Sequence, residues 1–154
     1  NLTAIDACRH GILCHENSLC ADGTIIMKTG SCLCGGVKYK VSGPLRPVIA
    51  CHCTQCRKTS GHYVAATQCE AKDMEIEAET LVWFKSSEIA ERGFCGRCGS
   101  NLFWRRFGNE HVSIFAGTID GDTGLRMESQ LHADSKGDYY DLPECTIIDQ
   151  SGLK

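Results

Sequence analysis

Cys95-Gly96-Arg97-Cys98-Gly99 is the stretch from which the fold can be read. A Cys-x-x-Cys turn closed by glycine aims backbone N–H groups at its two thiolates, and the glycine takes the positive φ that such a turn demands. About sixty residues earlier, Cys32-Leu33-Cys34-Gly35-Gly36 does the same with one residue fewer. Two sulfurs from each turn, Cys32, Cys34, Cys95 and Cys98, make a closed tetrahedron, the donor set of a structural zinc ion. Zinc binding in small modules is worth on the order of 10 kcal/mol, comparable with a whole domain's stability. The ion is therefore expected to staple the chain, and its removal to unfold much of it.

Outward from these turns, short β-rich runs separated by glycine and polar turns dominate: Val37 to Val41, His62 to Gln68, Met74 to Ala78, Leu81 to Phe84, Asn101 to Phe107 and Val112 to Ala116. Met74, Ile76 and Ala78 alternate with Glu75, Glu77 and Glu79, which predicts a strand with one buried and one wet face. Helical periodicity is weak, with candidates only in a turn or two after Cys53 and near Ser87 to Glu91. The fold class predicted is mainly β, a compact, zinc-stapled, antiparallel and sandwich-like sheet structure with few short helices. No stretch repeats another and no linker divides the chain after Gly30. Residues 1–26 lack periodicity and are read as an N-terminal extension or expression-derived arm, with Met27 as a natural start and 27–154 as the zinc-binding domain.

The chain has 154 residues, 16 Lys+Arg against 19 Asp+Glu, and 42% hydrophobic residues, enough for one proper core. With a net charge of −3 and no clustered basic face, nucleic acid is not expected as a partner. Uncharged apolar stretches such as Thr24 to Met27 and Val112 to Gly117 are far shorter than the roughly 20 residues of a membrane span. Twelve cysteines leave a choice between a disulfide scaffold and metal ligation. Positions 32, 34, 51, 53, 56, 95 and 98 form tight groups, and residues one to three apart converge on an ion far more readily than they form relaxed disulfides. A reducing compartment follows, and without a secretory signal pattern the cytoplasm is expected. Cys8, Cys14 and Cys20 recur every six residues with His10 and His15 between them. Stray thiols are preferred there over a third metal site or a disulfide. The sequon Asn1-Leu2-Thr3 is discounted for want of a secreted context. Cys69 and Cys145 stand alone and are read as small buried hydrophobes or surface thiols.

Cys51-His52-Cys53-Thr54-Gln55-Cys56 offers three sulfurs and no obvious fourth cysteine. Catalytic zinc sites keep one position open, and structural sites fill all four, so Cys51, Cys53 and Cys56 are candidate catalytic ligands. Two zinc ions per chain are expected, one structural and one catalytic. Three thiolates make zinc a poor Lewis acid toward water, but the soft site suits capture of a substrate thiol as thiolate. In an extended segment the His52 side chain should point away from those of its neighbours, which favours packing over ligation. An iron–sulfur centre is the less favoured reading, because Cys-x-x-Cys-Gly turns are commoner around zinc. Arg57 and Lys58 follow directly; as substrate-binding candidates they would offset the anionic site and attract a carboxylate. Arg105 and Arg106 read as a solvated strand end. No Gly-x-Ser-x-Gly, His-Glu-x-x-His or Walker loop supports a hydrolase, metalloprotease or nucleotide-binding reading.

Taken together, Gly30-Ser31-Cys32-Leu33-Cys34-Gly35-Gly36-Val37-Lys38-Tyr39, Cys51-His52-Cys53-Thr54-Gln55-Cys56-Arg57-Lys58-Thr59-Ser60-Gly61 and Phe94-Cys95-Gly96-Arg97-Cys98-Gly99-Ser100 resemble the glutathione-dependent formaldehyde-activating enzyme family. Ala116-Gly117-Thr118-Ile119-Asp120 and His132-Ala133-Asp134-Ser135-Lys136-Gly137-Asp138-Tyr139-Tyr140-Asp141 are similar to its closing strand and C-terminal signature, so the likeness runs from about Met27 to Pro143. The resemblance implies a β-rich fold shared with a zinc-bearing chaperone of small GTPases. It also implies a structural zinc at Cys32, Cys34, Cys95 and Cys98 and a catalytic one at Cys51, Cys53 and Cys56. The implied activity is of the S-(hydroxymethyl)glutathione synthase type, a carbon–sulfur lyase reaction run in reverse on glutathione and formaldehyde. The leading expectation is thus a zinc-dependent carbon–sulfur lyase or adduct-forming enzyme acting on a small thiol and an aldehyde. A non-catalytic zinc-binding protein-interaction module is the alternative, since the family also includes centromere protein V. Metal storage or thiol sensing is a third reading, in which the leader cysteines would matter.

Overall fold

The computed structural model describes residues 27–148, so Cys8, Cys14, Cys20, His10, His15 and the sequon lie outside the described residues. Its strands are β1 (Lys28–Ser31), β2 (Val37–Val41), β3 (Val48–Cys51), β4 (Val64–Glu70), β5 (Met74–Ala78), β6 (Leu81–Ser87), β7 (Ala90–Cys95), β8 (Asn101–Arg106), β9 (His111–Phe115), β10 (Met127–Leu131) and β11 (Thr146–Ile148). One helix, α1 (Thr54–Ser60), follows β3, and three single 3-10 turns complete the list among the described residues. The architecture is mainly β, as the sequence pattern predicts. No helix among the described residues is long and apolar enough to cross a membrane.

The strands form two sheets. The smaller has the order β1-β2-β5, antiparallel throughout; the larger has the order β11-β10-β3-β4-β9-β8-β7-β6. The larger sheet is antiparallel except at one end, where β10 runs parallel to both β3 and β11. Parallel neighbours require a crossover rather than a hairpin, and the long segments on either side of β10 supply the length.

The main core lies between the sheets. On β2, Val37, Tyr39 and Val41 are buried while Lys38 and Lys40 are exposed, the two-residue alternation of a half-buried strand. They share one apolar cluster with Cys69 of β4, Leu102 and Phe103 of β8, and Val112 and Ile114 of β9. The Tyr39 and Phe103 rings meet edge to face at 5.3 Å, and Trp83 stacks on Phe103 at 6.1 Å. Full burial of side chains of this size stabilises by roughly 1.5–3 kcal/mol each, which is what holds the sheets together.

Two expectations need correction. The alternation in β5 does not mark a buried face, because β5 is the outer strand of the small sheet; Ile76 is 40% exposed, and only Met74 packs against the core. Nor is there a helix near Ser87–Glu91. The chain turns there at Glu88 and Ile89 from β6 into β7, and the antiparallel pairing of the two strands prevails over a weak local helical pattern.

Candidate functional site

The two Gly-closed turns meet. Cys32 and Cys34 lie between β1 and β2, Cys95 ends β7 and Cys98 follows in the turn to β8, and all four sulfurs fall within 4.8 Å of one another. Gly35 and Gly99 take φ of 73° and 78°, the left-handed geometry these turns require. The Cys32 sulfur accepts the Val37 N–H at 3.2 Å, and the Cys95 and Cys98 sulfurs lie 3.0 and 3.3 Å from the hydroxyls of Thr80 and Ser100. The Ser100 contact is the first reason that the Cys98 thiol is held down to about 5. Four soft, hydrogen-bonded sulfurs at this spacing fit a tetrahedral metal ion and can hold one.

The second cluster is built where the sheet hands over to its helix. Cys51 ends β3, Cys53 caps α1 by accepting the Cys56 N–H at 3.4 Å, and Cys56 sits in the first turn. Their sulfurs also lie within 4.8 Å of one another, and among the described residues no fourth Cys, His, Asp or Glu joins them. Hydrogen bonds from Cys51 and Cys56 hold the Cys53 thiol far below the ordinary thiol range, while hydrogen bonding to Cys53 and Cys56 pushes Cys51 up. The donor set suits a soft divalent ion.

His52 is fully buried and turned away from the sulfurs. Its Nδ1 lies 2.9 Å from the Tyr140 hydroxyl and its Nε2 3.1 Å from the Gln130 amide oxygen, so both ring nitrogens are engaged. Burial holds its pKa below the usual value. Arg57 donates from Nε to the Ser135 carbonyl at 2.9 Å, tying α1 to the loop after β10, whereas Lys58 is exposed on the helix. Cys69 is a buried core thiol whose pKa burial pushes up to about 11, and Cys145 is half-buried.

One residue escaped the sequence reading. Arg92, on β7, is only 6% exposed; its Nη2 donates to the Gln55 amide oxygen at 3.2 Å and lies 3.8 Å from the Cys56 sulfur. Its register partner on β8 is Trp104, which packs against the group of Cys56, Val64 and Phe115. In sequence Arg92 sits between Glu91 and Gly93, a composition that marks no buried position. An arginine three residues before a cysteine turn was the available signal.

The family model for glutathione-dependent formaldehyde-activating enzyme matches residues 27–135, a span that contains both sulfur clusters. An uncharacterized lyase of Schizosaccharomyces pombe is 30% identical over 120 residues, 77% of this chain and 88% of the relative. The crystal structure of a Rhodobacter sphaeroides protein is similar with a TM-score of 0.51 and 25% identity, over 62% of this chain and 90% of that one. With the match covering most of its length and every cysteine of the two clusters, the chain belongs to the glutathione-dependent formaldehyde-activating enzyme family.

Proposed function

We propose that this chain is a zinc-dependent carbon–sulfur lyase that forms and cleaves the adduct of a small thiol with an aldehyde, glutathione and formaldehyde being the first pair to test. Family membership and the lyase relative support a lyase-type function. The observation that carries the finer reading is the convergence of Cys51, Cys53 and Cys56 on one point with no fourth ligand residue among the described residues. Cys51, Cys53 and Cys56 would hold the zinc ion, which when bound would stabilise a substrate thiol in its anionic form at neutral pH. Arg57 and Lys58 flank the trio on α1, and the exposed Lys58 suits attraction of a carboxylate-bearing thiol. In the addition direction the substrate sulfur bonds to the carbonyl carbon, the C=O electron pair moves to oxygen, and the proton lost by the thiol ends on that oxygen; cleavage is the reverse. The four-cysteine cluster is assigned a structural zinc. Thiolate-rich sites of this kind are best kept reduced in the cytoplasm, the compartment proposed here.

The test is exchange NMR with ¹³C-formaldehyde and a panel of thiols, since the adduct also forms without protein. Added protein is expected to accelerate exchange for at least one pair, and Cys51→Ser to abolish the acceleration while leaving the circular dichroism spectrum intact. An unaccelerated rate across all thiols and aldehydes would overturn the catalytic reading. It would favour the alternative of a zinc-binding protein-interaction module, for which Val82 and Phe84, 42% and 60% exposed on the edge strand β6, offer an apolar contact.

A further inference from the structure

Among the described residues, Arg92 pairs with no carboxylate, and the nearest potential anion in its hydrogen-bond contacts is the Cys56 sulfur. Its Nε is buried without a hydrogen-bond partner, and none of the ion pairs among the described residues includes it. A buried cation left uncompensated costs several kcal/mol, so an arginine at such a position implies an anion nearby. Its two polar neighbours are the neutral Gln55 amide and the Cys56 sulfur. Three thiolates around one divalent ion carry a single net negative charge, which a guanidinium at this range offsets. Without that offset, a fourth anionic sulfur would enter a site already negative.

We propose that Arg92 is the resident counter-charge of the three-sulfur site, a positioning residue that donates to Cys56 and lets the site both retain its metal and admit an anionic thiol. This inference rests on the metal-site reading above and deepens it. Arg57 and Lys58 approach from α1, whereas Arg92 enters from the sheet beneath the helix, where water screens its charge least. Gln55 is its second anchor: Oε1 accepts from Arg92, and Nε2 donates to the Ser86 carbonyl at 3.4 Å, linking α1, β7 and the end of β6.

The test loads the full chain, Arg92→Gln and Arg92→Lys with cobalt(II), whose thiolate charge-transfer band reports sulfur ligation. Each is titrated with a chelator, and separately with glutathione and with 2-mercaptoethanol. Arg92→Gln is expected to lose roughly 10- to 100-fold in affinity at one of two metal sites and to need more thiol for the same rise in the band. Arg92→Lys should recover part of both, since it keeps the charge but not the planar fork. Unchanged affinity and thiol response in Arg92→Gln overturn the proposal. If that variant fails to fold, Arg92→Met, which removes the charge but keeps an unbranched apolar stem in the buried position, replaces it, and a wild-type affinity and thiol response there overturns the proposal equally. A wild-type chain holding one ion overturns this inference together with the proposed function. Two ions, a weakened site in Arg92→Gln and no turnover of any thiol–aldehyde pair overturn the proposed function alone.

Discussion

Cys51, His52 and Cys53 are consecutive, yet they serve opposite sides of the sheet. Side-chain alternation sends the two sulfurs toward α1 and the imidazole toward Gln130 and Tyr140. His52→Ala removes two buried hydrogen bonds and leaves a void, so it should cost about 3 kcal/mol in urea unfolding while leaving metal content unchanged. A lost metal ion would instead make His52 a ligand. Two buried acids make stability fall at alkaline pH. Burial raises Cys69 from 9.0 to about 11 and Tyr39 from 10.0 to about 12. Both hold their protons more tightly folded than unfolded, so their stabilisation is complete below about pH 9 and drains away as the pH rises to 12. The urea midpoint should fall across that window by the equivalent of a few kcal/mol, and a flat profile would contradict the assignment.

At the scale of elements, β2 and β5 begin and end where their sequence pattern says, and α1 starts right after Cys53 as expected. Local chemistry suffices for these: β-branched and aromatic residues alternate with lysine in β2, and a cysteine cap opens the helix. By contrast β1, β7, β10 and β11 carry Gly, Ser, Glu or too few residues to show a period, and they exist because their neighbours need hydrogen-bonding partners. The case of β1 can be tested. A Cβ on Gly30 would run into the Tyr39 ring and the Thr118 carbonyl oxygen, so Gly30→Ala should push β1 off β2 and cost about 3 kcal/mol by chemical denaturation. Wild-type stability in that variant would mean that β1 contributes little to the fold.

For the molecule as a whole, the four-sulfur cluster does more than close two turns. Cys32 and Cys34 belong to the small sheet's first turn, and Cys95 and Cys98 to a turn of the large sheet, so an ion there ties the two layers across the core. The three-sulfur cluster lies within one layer and its helix. Stepwise chelation is therefore expected to remove one zinc equivalent with the circular dichroism spectrum intact and the second only with unfolding, as read by elemental analysis on the same samples. Loss of structure with the first equivalent would reverse the roles of the two sites. By itself, the sequence determined the mainly β class, the three tight cysteine groups and the place of the helix, because ligand spacing within a turn, strand alternation and helix capping are short-range properties; the four-and-three division follows from ligand count, since a closed site needs four sulfurs. Only the tertiary structure decided that β5 lies at an edge, that β10 runs parallel to its neighbours, and that Arg92 is buried beside Cys56. Edge position, crossover direction and the pairing of distant strands depend on what packs against what, and residues far apart in the chain supply those contacts.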